Sequence, residues 1–283
     1  MPSNITTDLN TASTLFSSML ISDPFRLDFL DHYSNILHTL SSHSQLAFVT
    51  HPSTSISLYR PETHIAIGNY YSLTHRHTDA IQSFRLALHL DRNFAAAWTP
   101  LGHEYCKLEN THAAIEAYRR AVEGNNKDYR AFVRLGVVYE GLEKRSFALH
   151  YYRRAVALRP GDGDMWGLMG GCLMGMERAE QAIEALKRGI VCNDYGIGDE
   201  LGDAFHAKCR RLEMMFQLAK AYEKVRDRLE ATKCLESCLD EFDKKEYPEN
   251  SVDPLRVKVI LIVEQARLLL TQWTAAGGDD LSG

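Results

Sequence analysis

The sequence predicts an all-α fold, a right-handed α-solenoid superhelix of antiparallel helix pairs stacked in series. Three observations predict it. Gly68, Gly102, Gly136 and Gly170 recur at a step of 34 residues. Four further columns keep that stride: Tyr71, Tyr105, Tyr139 and Leu173; Ala80, Ala114, Ala148 and Ala182; Phe84, Tyr118, Tyr152 and Leu186; Ala87, Ala121, Ala155 and Gly189. Within one period the columns sit at helical spacing, with Trp98, Leu101, Gly102 and Tyr105 on one helix face and Ala114, Tyr118 and Ala121 on another. Helix pairs of this kind cannot bury their apolar faces alone and must lean on their neighbours.

The elements follow in order along the chain. Residues 1–22 form a partial N-terminal helix and tail, in which Leu15, Phe16, Met19 and Leu20 resemble the second helix of a unit lacking its first half. Residues 23–60 form a degenerate helix pair with Tyr33, Ser34 and Leu37 in its first helix; Asp23-Pro24 is the expected cap and first turn. Residues 61–195 hold four full repeats. Their hairpins turn at segments such as Leu108 to Thr111, and Arg159-Pro160-Gly161-Asp162 joins one unit to the next. Leu218, Ala219, Tyr222, Ala231 and Leu235 restore the pattern 15 residues late. That delay predicts an irregular insertion over 196–211 and a fifth repeat over 212–245. A terminal helix over 251–273 has no partner in the sequence and should cap the fifth repeat or offer a contact surface. A flexible tail, 274–283, follows.

Composition bounds the function. Apolar residues make up 45% and charged residues 24%, the balance of a chain with a packed core. A net charge of −5 gives no basic footprint for nucleic acid. No membrane partner is expected: residues 255–270 are interrupted by Arg256, Lys258, Glu264 and Arg267, and the first 21 residues lack a signal-peptide pattern. The six cysteines form no CxxC pair and lie in apolar helical patterns, so buried, reduced thiols are expected.

Enzyme motifs fail on spacing. His103-Glu104 begins like a zincin helix, but Lys107 stands where the second ligand belongs. His75 and His77 fall in a hairpin turn, where a solvated pair is expected. Residues 167–175 are glycine-rich without the Lys-Ser/Thr of a phosphate loop, and Gly196-Ile197-Gly198 follows no strand. Asp162 and Asp164 read as an inter-unit turn rather than a calcium loop. No catalytic residue, metal ligand or cofactor is expected.

The 34-residue columns, continuous over residues 61–195, resemble the tetratricopeptide repeat family. Segments between the columns narrow the likeness: Asp23-Pro24-Phe25-Arg26-Leu27, Asp31-His32-Tyr33-Ser34-Asn35, Tyr59-Arg60-Pro61-Glu62-Thr63 and Ile67-Gly68-Asn69-Tyr70-Tyr71-Ser72-Leu73. Further on stand Gly102-His103-Glu104-Tyr105, Lys127-Asp128-Tyr129-Arg130 and Tyr151-Tyr152-Arg153-Arg154-Ala155. These are similar to the subunit 8 family of the anaphase-promoting complex. The resemblance implies a tetratricopeptide-repeat superhelix without catalytic chemistry, acting as a scaffold in a cell-cycle ubiquitin ligase of nucleus and cytoplasm. Its partners would be other subunits of that complex and coactivator tails. Such subunits dimerise through N-terminal repeats; this chain lacks that half of the array, so homodimerisation is not expected. A stand-alone adaptor gripping a short peptide tail, as co-chaperones do, is the alternative, although Thr99 and Val133 occupy the expected cationic clamp positions.

In this architecture the first helices line the concave surface. Positions between their packing columns give Asn69, His103, Lys107, Arg130, Glu140, Lys220 and Glu223 as candidate groove residues for a bound peptide. Asn and His can bond a peptide backbone, while Lys, Arg and Glu can pair with its charges. Arg119-Arg120 and Arg153-Arg154, also one period apart, are expected on a solvated convex face.

Overall fold

The computed structural model describes residues 5–23, 25–194, 204–243 and 254–278. These form fourteen helices and no strand. They divide into two compact units, Ser3–Leu158 and Arg159–Gly283. The first unit holds α1 (Ile5–Ser22), α2 (Leu30–Thr39), α3 (His43–Ile56), α4 (Pro61–Leu73), α5 (His77–Leu90), α6 (Ala95–Lys107), α7 (Thr111–Gly124), α8 (Tyr129–Gly141) and α9 (Arg145–Leu158). The second holds α10 (Gly163–Gly175), α11 (Ala179–Asp194), α12 (Ala204–Val225), α13 (Arg228–Asp243) and α14 (Pro254–Gly278). The division falls between the third and fourth of the four repeats expected over 61–195.

Within each unit the helices pair as hairpins, and successive hairpins stack. The glycine column explains the close approach. A Cβ on Gly102 would lie 2.5 Å from Tyr118 Cε1, and one on Gly68 would lie 2.5 Å from Phe84 Cε1. Phe84, Tyr118 and Tyr152 are wholly buried, so a bulky ring fills each space left by a missing side chain. Ala80, Ala114, Ala148 and Ala182 are also fully buried, which lets the second helix lie close to the first.

The hairpin turns share one backbone device. Ser41, His75, Glu109, Glu143 and Glu177 all have positive φ and recur at the repeat stride; Arg226 does so after the expected delay. Each ends its helix in a Schellman turn: Arg76 N–H donates to the Tyr71 carbonyl, Asn110 to Tyr105 and Asp227 to Tyr222, at 2.9, 2.9 and 3.0 Å. The left-handed position normally favours glycine, and here none of the six is glycine. Asn110, Asp128 and Asp162 start α7, α8 and α10, each accepting a backbone N–H with its side chain.

Several expectations are corrected. Asp23 does not cap α2, which begins at Leu30 after Phe29; the Asp23 carboxylate instead accepts the Phe25 N–H at 3.3 Å, and residue 24 lies outside the described residues. α1 does pack on α2, with Phe16 stacked on Tyr33 at 5.2 Å and Ser17 bonded to the Tyr33 hydroxyl, but Leu15 faces solvent. The segment 196–211 is helical from Ala204 onward, because Cys209 and Leu212 bury against Val259 and Val263 and extend α12; 196–203 lie outside the described residues. The terminal helix runs on to Gly278, five residues into the expected tail. It covers α12 and α13 with Val259, Ile262, Val263 and Ala266, leaving Val257, Leu261 and Leu268 exposed. Cys172, Cys209 and Cys238 are buried thiols, whereas Cys106 is exposed, its Sγ 3.6 Å from the Tyr118 hydroxyl. No helix among the described residues is long and apolar enough to cross a membrane.

Candidate functional site

The first helices of the pairs in the first unit, α2, α4 and α6, carry polar residues at the repeat stride, and these meet side by side. Asn69 on α4 donates from Nδ2 to Ser34 Oγ at 3.0 Å and to Asn35 Oδ1 at 2.8 Å. It is 2% exposed. The structure therefore places Asn69 as a polar staple between α2 and α4 rather than on an open surface.

One period further, Glu104 is also 2% exposed, and it organises the centre of the face. Its Oε1 accepts from Ser72 Oγ at 2.7 Å and from Lys107 Nζ at 2.9 Å; its Oε2 bonds His77 Nδ1 at 2.7 Å. Burial alone would push this carboxyl up. The hydrogen bonds from Lys107, Ser72 and His77 together outweigh burial and hold it below the usual carboxylate range. Lys107 also donates to Ser72 Oγ at 3.1 Å, and His38 Nε2 lies 3.0 Å from the same oxygen. Ser72 has one proton and gives it to Glu104, so His38 Nε2 must carry the hydrogen in that bond. Burial, then the charge of Lys107, keeps His38 neutral by lowering its pKa.

His103 differs from its neighbours. Its ring meets Tyr118 edge-on at 5.7 Å, and its Nε2 is buried without a hydrogen-bond partner. Burial, reinforced by Arg134, His38, Lys107 and Arg130, drives its pKa down to about 3. It is a neutral imidazole amid positive charge.

The remaining candidates separate. Arg130 is exposed at the start of α8, its guanidinium against the Tyr129 ring at 5.7 Å. Glu140 accepts from the Tyr152 hydroxyl at 2.7 Å and so serves the hairpin of α8 and α9. Lys220 and Glu223 lie exposed on α12, in the second unit, with Lys220 Nζ over the Phe216 ring at 4.3 Å. Of the seven, the structure joins Lys107 directly to the Glu104 network and sets His103 beside it.

His38, Ser72, His77 and Glu104 are the members that spacing arguments missed. The signal was present, since His38, Ser72, Cys106 and Glu140 form one column and Asn35, Asn69 and His103 another. His77 is not half of a solvated pair: it opens α5 and turns inward to Glu104, while His75 takes the left-handed turn position. Thr99, at a position where a peptide clamp would need a cation, donates to Asp128 Oδ2 at 2.8 Å and so steadies the cap of α8. Of the arginines expected on a solvated face, Arg120, Arg153 and Arg154 are exposed, whereas Arg119 donates to the Tyr139 hydroxyl, as Arg85 one period earlier donates to that of Tyr105 at 2.9 Å.

Comparison with known proteins agrees with this architecture. Residues 95–128 match the tetratricopeptide repeat model. The anaphase-promoting complex subunit CDC23 of Saccharomyces cerevisiae is 42% identical over 106 residues, 38% of this chain and 17% of the relative. Anaphase-promoting complex subunit 8 of Arabidopsis thaliana is 40% identical over 99 residues, 35% of this chain and again 17% of the relative. The matched stretch thus spans about a sixth of these relatives' length. Among solved structures, the APC/C hetero-tetramer Cut9–Hcn1 superposes with a TM-score of 0.68 at 17% identity, covering 93% of this chain and 47% of that one; it speaks for the fold. The chain has the stacked helix-pair fold of tetratricopeptide repeats and is similar over more than a third of its length to subunit 8 of the anaphase-promoting complex.

Proposed function

We propose that this protein is a scaffold subunit of a ubiquitin ligase of the anaphase-promoting type. In this reading it holds other subunits or coactivator tails, in nucleus and cytoplasm, and supports ubiquitination without catalysing it. The likeness to subunit 8 from two distant organisms carries the reading. The geometry suits it. Glu104, the most buried charge of the polar face, is fully engaged in holding α2, α4, α5 and α6 together, which is work of shape rather than of chemistry. The exposed cations near His103, Arg130 and Arg134, offer contacts to a passing peptide.

Affinity capture of the tagged full chain from its own cells, followed by mass spectrometry, tests the proposal. Other anaphase-promoting complex subunits should be recovered. Recovery of none of them would overturn the assignment to that assembly.

A further inference from the structure

Away from the polar face, α5, α6 and α7 enclose a groove of about 1050 Å³. Its floor is apolar and aromatic, with Trp98, Leu101 and Tyr105 from α6. One wall carries Arg85 and His89, one turn apart on α5, and Arg92 in the turn that follows that helix. On the opposite wall, on α7, Glu116 and Glu123 both pair with Arg120, at 3.1 and 3.4 Å, which leaves one carboxylate charge in excess there. Arg85 is held by Tyr105, lying over its ring at 5.7 Å. His89 and Arg92 are exposed, and among the described residues neither has an ionic partner.

The next period shows what such a groove takes. Its equivalent surface, between α7, α8 and α9, is filled from within. Where the open groove has Ala113 and Ala117, the next period has Phe147 and Tyr151, and Ala95 is matched by Tyr129. Tyr151 stacks on Tyr139 with ring centres 5.4 Å apart and planes at 8°, and Phe147 stacks on the same ring at 5.5 Å. Tyr105 is the counterpart of Tyr139, with its arginine already in place, but the alanines leave it without a stacking ring. The groove therefore keeps open, beside a Tyr105 that is 8% exposed, the space that Phe147 and Tyr151 fill in the next period.

We propose that this groove docks an acidic segment of a partner protein that carries an aromatic side chain. The ring stacks on Tyr105 beside Trp98, as Tyr151 stacks on Tyr139, and flanking carboxylates pair with Arg92 and accept a hydrogen bond from the His89 ring. Aromatic anchors in a pocket rimmed by charge are the usual strong points of protein interfaces. The inference stands apart from the ubiquitin-ligase reading, because any partner with this chemistry would fit.

A fluorescein-labelled Glu-Asp-Phe-Glu-Asp peptide, titrated against the full chain by anisotropy, tests it. Saturable binding is expected, weakened about tenfold or more when the phenylalanine is replaced by alanine or the acids by lysines. The double variant Ala113→Phe/Ala117→Tyr fills the groove with the next period's residues and should lose binding while still melting cooperatively. Arg92→Glu, on an exposed position, should weaken binding about tenfold without changing the melt. Arg178→Glu, on an exposed position of the second unit, should bind as the parent does. Absence of saturable binding, unchanged affinity in Arg92→Glu, or tighter binding of a single-stranded RNA oligomer than of the peptide would each overturn the proposal.

Discussion

The same columns are filled differently in the two units of the molecule. In the first, Gly102 faces Tyr118, a rigid ring that is wholly buried. In the second, Gly170 faces Leu186, and a Cβ on the neighbouring Gly167 or Gly189 would lie 2.9 or 3.0 Å from the Met214 sulfur. The polar column diverges as well: Glu104, with its shell of Ser72, Lys107 and His77, becomes Val138 one period on and Cys172 after that. Arg85 and Arg119 each hold a tyrosine hydroxyl, but the next member of the tyrosine column is Leu173, which offers no acceptor. What survives from unit to unit is the small residue. Absence of a side chain sets how near two helices come, while leucine, methionine or tyrosine can fill the remaining space in turn.

Mutations can break that comparison or sharpen it. The largest effect is expected from Gly102→Leu, which drives a side chain into the Tyr118 ring. It should cost ~3 kcal/mol or more by urea denaturation. Gly170→Leu, where a Cβ would lie 2.6 Å from Leu186 Cγ, should cost clearly less because a leucine side chain can rotate aside; equal losses at the two sites would show that the filling residue does not matter. Next comes Glu104→Val, the residue of the following period. It strands Lys107 and His77 and should cost ~2–3 kcal/mol, the partial exposure of both partners keeping it below the figure for a fully buried pair. A neutral outcome would mean that the network only decorates the helices.

Acid should act on the first unit through His103. Its folded pKa lies below the unfolded value of 6.5, so the unfolded chain takes up the proton first. The stabilising contribution is complete above about pH 6.5 and drains away as the pH falls towards 3. Between about pH 6.5 and about pH 5 the loss should reach up to about 2 kcal/mol. His103→Val should flatten that slope in melts followed against pH. The smallest change is expected from Gly171→Ala. A Cβ there meets Gln217 only at 3.6 Å, so removing a helix glycine should stabilise the second unit by ~0.5–1 kcal/mol.

Much of the fold was legible because packing columns repeat. The glycine and alanine positions located each hairpin, and the delayed register of Leu218 and Tyr222 reappears in the left-handed turn at Arg226. The site was less legible. Asn69 and His103 looked alike as polar residues of one column, yet one is saturated by Ser34 and Asn35 and the other keeps an unpartnered nitrogen. Their difference lies in the preceding helix, which supplies Ser34 and Asn35 to one, whereas the same positions one period on are Gly68, which has no side chain, and Asn69, whose amide is already given to Ser34 and Asn35. The turns hid for another reason: positive φ at Ser41, His75 and Glu109 is imposed by the Schellman hydrogen bonds, not by the residue's own preference.

By itself the sequence determined the helix pairs, their stride and their order, since periodic small residues can satisfy close packing in one way only. Tertiary structure alone decided which polar side chains are spent inside and which remain available. Burial of Glu104 and exposure of Arg92 depend on what the neighbouring hairpin brings across the gap, and that neighbour is distant along the chain. The open groove has the same cause: three alanines become a docking surface only once α5 and α7 stand on either side of Tyr105.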